Sequence, residues 1–182
     1  HPATLATMQR LGRELVAPSA NPYGRISPTT AEHVLAGLSG KIKAVLDGGD
    51  CSVGIESTIV DLTGETPVIA RPGQIGQSDI EACLGIALAS GKAASQAVPG
   101  SVKRHYQPVT PTVGVATDRF AGLLPEVTPA GEKTGVIWWQ SAPGELASES
   151  IMLSADPNEY ARMLYTAMHA MDKANVDRIV IE

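Results

Sequence analysis

Between residues 90 and 111 the chain loses all apolar periodicity: Gly, Ala, Ser, Lys and Pro follow one another, with Pro99-Gly100 and Pro108 as breakers. On either side, short strands and helices alternate. A chain of 182 residues forms one ordinary domain or two small ones, and it buries a core without staples. The interruption favours two, so the predicted organisation is a first unit over 1–92, a linker or lid over 93–112 and a second unit over 113–182.

In the first unit, Leu5, Met8 and Leu11 recur at helical spacing over 3–14, and Leu15-Val16-Ala17 reads as a short buried strand. Thr29 and Glu32 form a T-x-x-E capping box ahead of Val34, Leu35 and Leu38, which predicts a helix. Residues 44–46, 58–62 and 67–70 read as strands bounded by turn residues, and 78–84 as a short helix capped by Ser78 with Glu81. In the second unit, 113–116, 135–139, 150–153 and 178–181 are predicted strands. A long helix opens at Asp156, with Pro157 in its first turn and Glu159 completing the box. Its inner stripe is Tyr160, Leu164, Ala167, Met168 and Met171. Such alternation predicts an α/β chain whose second unit is a small Rossmann-like fold.

Charge limits the partners. The formal net charge of -5 offers no general attraction to nucleic acid, which needs clustered Lys and Arg. Cys51 and Cys83 show no metal-binding spacing and are expected to be reduced thiols of a cytoplasmic protein. No apolar run approaches the roughly 20 residues of a membrane span, so no membrane partner is expected. The chain opens on His1 rather than Met, which is expected of a piece of a longer chain.

Four stretches carry possible chemistry. Residues 17–30 place Ser19, Asn21, Arg25 and Ser27 before a helix start, where backbone N–H groups favour anions; a plain turn with an N-cap uses the same residue types. In 54–61, Ser57 could hydrogen-bond a small polar substrate, or the run is an ordinary strand entry with Glu56 solvated. Arg71, before Pro72-Gly73, is suited to phosphate or carboxylate, or is a surface arginine. Lys103, Arg104, His105 and Tyr106 lie within the linker as a lid over phosphates or as a solvated basic segment. His33 and His169 fall within predicted helices and read as surface or packing residues. No nucleophilic triad, metal-protease, Walker A or GxGxxG element is present, and no catalytic residue or metal ligand is assigned.

The runs APSANPYGRISPTTAEHV, LDGGDCSVGIESTIVDLTGETPVIARPGQIG and PGSVKRHYQP together resemble the signature of the YrdC-like threonylcarbamoyl-AMP synthases (L-threonylcarbamoyladenylate synthases) of the two-domain type. The resemblance implies a twisted open α/β sheet for the first unit. It also implies an enzyme that converts ATP, L-threonine and bicarbonate to threonylcarbamoyl-AMP and pyrophosphate, with Mg2+ accompanying ATP. A separate threonylcarbamoyl transferase complex then modifies an adenosine of tRNA, so tRNA is only an indirect partner. Carried over by position, Ser19, Asn21, Ser27, Arg71 and Tyr106 face ATP, Ala17 and Ser57 hold L-threonine, and His105 helps close the site. Members of the family carry a K-x-R element upstream of the SAN segment; this chain lacks it, so it is expected to represent the later part of the catalytic domain and to be doubtful as an enzyme alone. The alternative is a non-catalytic nucleotide- or RNA-binding module of the same fold.

Overall fold

The computed structural model describes residues 1–89 and 106–182; the predicted lid residues Lys103, Arg104 and His105 lie outside them. The chain is α/β throughout.

Its first part contains α1 (Pro2–Leu11), α2 (Ala31–Leu38), the strands β1 (Ile59–Asp61) and β2 (Val68–Arg71), and α3 (Gln77–Leu84). The two strands form an antiparallel hairpin in which Ile59 opposes Arg71, with an irregularity between Ile59 and Val60. That irregularity leaves the residues just before β1 free to turn toward the end of β2. The strands expected at 15–17 and 44–46 are absent: both segments are coil, with Val16 97% and Leu46 67% exposed. Apolar β-branched residues give a strand only where a neighbouring ladder accepts it. Among the described residues β1 and β2 pair solely with each other.

The predicted helices are present, but two caps move and one capping box stays open. Thr30, not Thr29, caps α2 by accepting from the His33 N–H, while Thr29 turns inward and is 3% exposed. Gly76, not Ser78, precedes α3, and Glu81 accepts instead from Gln77 Nε2 and the Leu88 N–H. Asp156 caps the long helix as expected, but Glu159 pairs with Arg162 rather than closing a box.

After the described gap come β3 (Thr112–Gly114), α4 (Thr117–Val127), β4 (Thr134–Trp138), β5 (Glu149–Met152), α5 (Pro157–Lys173) and β6 (Arg178–Ile181). The strands form one parallel sheet in the order β3-β6-β4-β5. Alternation along the central strands divides two cores, one on each face of the sheet. Ile137 and Ile179 pack with Leu153, Ala167 and Met171 against α5. Their neighbours Val136 and Val180 pack with Phe120 and Leu124 against α4. This is the burial expected of a parallel sheet covered on both sides. The helix α4 was not legible in advance because Gly122 and Pro125 break its propensity, yet burial of Phe120 (0% exposed) and Leu124 (3%) holds it.

Candidate functional site

The site begins with the end of β2. Arg71 leaves the strand with its guanidinium directed at the segment before β1. Its Nε donates to the Ser57 carbonyl at 3.0 Å and its Nη2 to Ser57 Oγ at 3.0 Å. Its Nη1 donates to the Tyr106 hydroxyl at 2.8 Å and lies 3.5 Å from Glu56 Oε2. The Arg71 and Glu56 side chains are only 13% and 19% exposed. A planar fork serving several acceptors at fixed angles is a task for Arg rather than Lys.

Glu56 extends the cluster. Its second carboxylate oxygen accepts from Ser27 Oγ, so one acidic side chain joins the loop before α2 to the guanidinium. Ser27 sits between the buried anchors Ile26 and Thr29, 2% and 3% exposed, which fix the loop. Ser19 and Ser27 line a common cleft of about 230 Å³ with Cys51, Gly54 and Glu56. The hydroxyls of this cleft, joined through Glu56 to the Arg71 guanidinium beyond its lining, suit a ligand bearing several oxygens.

The remaining wall comes from α5. Gly54, at φ +82°, lies so close to this helix that a Cβ would sit 2.1 Å from the Arg162 carbonyl oxygen. Tyr106, itself in the left-handed region at φ +56°, stacks on Tyr165 with ring centroids 6.5 Å apart. Burial, reinforced by the Glu56 charge, pushes the Tyr165 phenol up to about 12, so it remains neutral. Thr29 Oγ1 lies 2.8 Å from Thr166 Oγ1, which ties the loop to the helix a second time.

The predicted residues Ser57, Arg71 and Tyr106 therefore converge, Ser27 joins them through Glu56, and Ser19 shares a cleft with Ser27 and Glu56. Asn21 does not join them: its amide donates to the Pro22 and Arg25 carbonyls, and the residue lines a larger cleft of about 760 Å³ between α2 and α5. Ala17 is exposed in coil, away from the cluster's hydrogen bonds. Among the described residues no group of three or more His, Cys, Asp or Glu is placed to hold a metal ion, and no helix is long and apolar enough to cross a membrane. Glu56, expected to be solvated, is the member of this cluster that sequence reasoning passed over. Its position next to Ser57 and opposite an arginine-terminated strand was the available signal. Tyr165 and Thr166 gave none, since a polar residue on a helix reads as solvent-facing until its neighbour is known.

Family models and known proteins match the chain along its length. Residues 1–73 match the Sua5–YciO–YrdC family, described as telomere recombination, and residues 75–182 match the threonylcarbamoyl-AMP synthase C-terminal domain. Curated threonylcarbamoyl-AMP synthases from Pyrococcus abyssi and Bacillus subtilis are 35% and 32% identical over the whole of this chain. The chain covers 56% and 55% of those proteins, so it spans about half the length of the relatives it matches. The crystal structure of P. abyssi Sua5 complexed with L-threonine superposes with a TM-score of 0.83 at 35% identity, covering all of this chain and 56% of that one. A variant of the same protein, with a histidine and the tyrosine after it both changed to alanine, gives 0.82 at 34% identity, covering all of this chain and 55% of that one. With a matching model for each of its two parts and relatives aligned along its full length, the chain belongs to the Sua5 family of threonylcarbamoyl-AMP synthases.

Proposed function

We propose that this chain serves L-threonylcarbamoyladenylate synthesis, in which ATP, L-threonine and bicarbonate give threonylcarbamoyl-AMP and pyrophosphate. The observation that carries the reading is the meeting of Ser57 and Tyr106 at Arg71, with Ser27 joined to it through Glu56. Ser27, Ser57, Arg71 and Tyr106 come from four separate stretches of the sequence. A protein of this family has been crystallised with L-threonine, which supports a small amino acid as one occupant.

In this proposal Ser19, Ser27, Arg71 and Tyr106 face the nucleotide and Ser57 faces threonine, with Asn21 shaping the loop between them. Ala17 is proposed to hold threonine through its backbone, and His105 to help close a lid over 93–112. The units over 1–92 and 113–182 then provide the ligand-facing loops and the supporting sheet. The threonine amine captures the carbon of bicarbonate or carbon dioxide, and the resulting carbamate attacks the α-phosphorus while pyrophosphate leaves. No covalent enzyme intermediate is required, so positioning and charge stabilisation carry the catalysis. Mg2+ would come with the phosphates, which provide most of its oxygen ligands in such sites. Glu56, the carboxylate of the cluster, is already engaged by Ser27 and Arg71, so Mg2+ would rest on the phosphates and water rather than on this cluster. Delivery of the product to a threonylcarbamoyl transferase complex, with tRNA as an indirect partner and a cytoplasmic location, belongs to the same proposal.

The test is formation of threonylcarbamoyl-AMP from ATP, L-threonine and bicarbonate with Mg2+, alongside calorimetric binding of each ligand and an Arg71→Ala control. Product or binding that disappears in the control supports the site. Ligand binding without turnover, both here and in a full-length relative carrying these residues, would favour the binding-module alternative. If wild-type chain binds neither ATP nor threonine, the reading fails.

A further inference from the structure

His33 on α2 and His169 on α5 stack face to face, with ring centroids 3.9 Å apart and planes 24° from parallel. Each ring also holds the loop that leads into the site. His169 Nε2 lies 3.2 Å from the Ser27 carbonyl oxygen. A carbonyl only accepts, so this nitrogen carries the proton. His33 Nδ1 lies 3.3 Å from the Thr29 backbone nitrogen, an N–H donor, so this nitrogen must be bare. Thr29 Oγ1 stands 3.1 Å from the same atom, and the residue is buried. The two contacts therefore fix His33 as neutral with its proton on Nε2, and place a proton on Nε2 of His169.

We propose that His33 and His169 are positioning residues through which α2 holds Thr29 and α5 holds Ser27 in register with the site, and that proton uptake at His33, beside the stacked His169, releases the hold on Thr29. The proposal rests on reading Ser27 as a ligand contact. A proton added at His33 Nδ1 converts the acceptor of the Thr29 N–H into a second donor and leaves a buried amide without its partner. A positive charge on either ring also meets the face of the other at van der Waals range. Geometry and surroundings agree: burial, then the neighbouring His169, lowers the proton affinity of His33 below the usual 6.5, against the opposing pull of Glu32 and Asp50, while Lys173 adds to the lowering. Burial lowers His169 as well, against the Ser27 contact and Asp172. Both rings line the cleft of about 760 Å³ between α2 and α5, which gives protons a route to them.

The sign follows from linkage. Rings that are harder to protonate in the fold stabilise it above the unfolded value of about 6.5, and that contribution is lost as pH falls through the lower folded values. Two isosteric changes separate titration from structure. His33→Asn retains an acceptor oxygen near the Nδ1 position, and His169→Gln retains a donor nitrogen near Nε2; neither titrates. Imidazole nitrogen NMR of the intact chain should show a bare Nδ1 at His33 and a protonated Nε2 at His169. The protection factor of Thr29 amide exchange, taken relative to the free-peptide rate at each pH, should fall between about pH 7 and pH 5 in wild type and stay constant in the double variant. ATP affinity should fall about tenfold more over that range in wild type than in the double variant, the worth of one lost hydrogen bond. His169→Ala should lose at neutral pH the affinity that His169→Gln keeps. The opposite tautomers, or a Thr29 exchange profile shared by wild type and double variant, would overturn the proposal. If ATP fails to bind any form, the nucleotide reading of the site falls, while the tautomers and Thr29 exchange still decide whether the pair holds and releases the loop.

Discussion

Gly54 joins the site to its support, and replacing it with alanine tests that joint. Two costs are expected. The first is conformational: at φ +82° an L side chain loses about 1–2 kcal/mol. The second is steric: the new Cβ would stand 2.1 Å from the Arg162 carbonyl oxygen, where carbon–oxygen contacts normally begin near about 3.3 Å. Loop and helix must then part by about 1 Å, which in a packed interior costs about 1–3 kcal/mol more. Gly49 provides the control, because its φ is +86° and nothing lies within 4 Å of its Cβ direction. Gly49→Ala should therefore carry the conformational cost alone, about 1–2 kcal/mol, and Gly54→Ala about 2–5 kcal/mol in total. Urea titrations followed by circular dichroism measure both, and calorimetry with ATP and threonine reports whether the cluster around Glu56 has opened. Equal destabilisation by the two substitutions, within about 0.5 kcal/mol, would refute the claim that Gly54 is a close-approach residue against α5.

Other substitutions probe separate parts of the structure. Phe120→Ala removes a side chain with no exposure from the α4 face of the sheet and should cost about 3–5 kcal/mol in the same titration. Arg71→Lys keeps the charge but cannot reach Ser57 and Tyr106 together, so ATP affinity by calorimetry should drop about tenfold or more; an unchanged affinity would exclude the fork as a ligand-binding element. Glu182 Oε2 accepts from the N–H groups of Trp139, Gln140 and Ser141 at 2.9, 2.9 and 3.1 Å. Burial alone would raise this carboxyl, yet those donors hold it below its usual 4.5. Its stabilisation is therefore present above that value and lost as pH falls through the lower folded one, and melting curves of Glu182→Gln should show a weaker acid dependence than wild type. Asp156→Ala removes the acceptor for the Asn158 and Glu159 N–H groups and should cost about 1 kcal/mol in urea titration.

Where burial alone organises a segment, the sequence was a good guide. The strands at 135–139 and 178–181 and the stripe from Tyr160 to Met171 are strongly periodic, and they form the parallel sheet and its α5 face. Reading failed where a second element decides the outcome. Leu15-Val16-Ala17 has strand composition without a ladder to join. Thr29 has the composition of a cap, but the chance to bond Thr166 and His33 draws it inward and passes the cap to Thr30. Within the site, the chemistry of Ser27, Ser57, Arg71 and Tyr106 allowed a turn, strand-entry, surface or linker role as well, and the family resemblance of the runs that hold them is what joined the four. Glu56 was not legible, since a carboxylate between Ile55 and Ser57 looks solvated until the arginine opposite is placed.

On the proposed reading, Arg71 would meet a ligand with Ser57, Tyr106 and Glu56 already around it. An incoming phosphate or carboxylate must therefore exchange places with partners the guanidinium holds, so association is a substitution reaction rather than a simple addition. Gain and loss of charged hydrogen bonds largely cancel in such an exchange. Selectivity then lies in fit: only an anion that compensates Ser57, Tyr106 and Glu56 together can displace them, and water or a lone small anion has little advantage over the contacts already made.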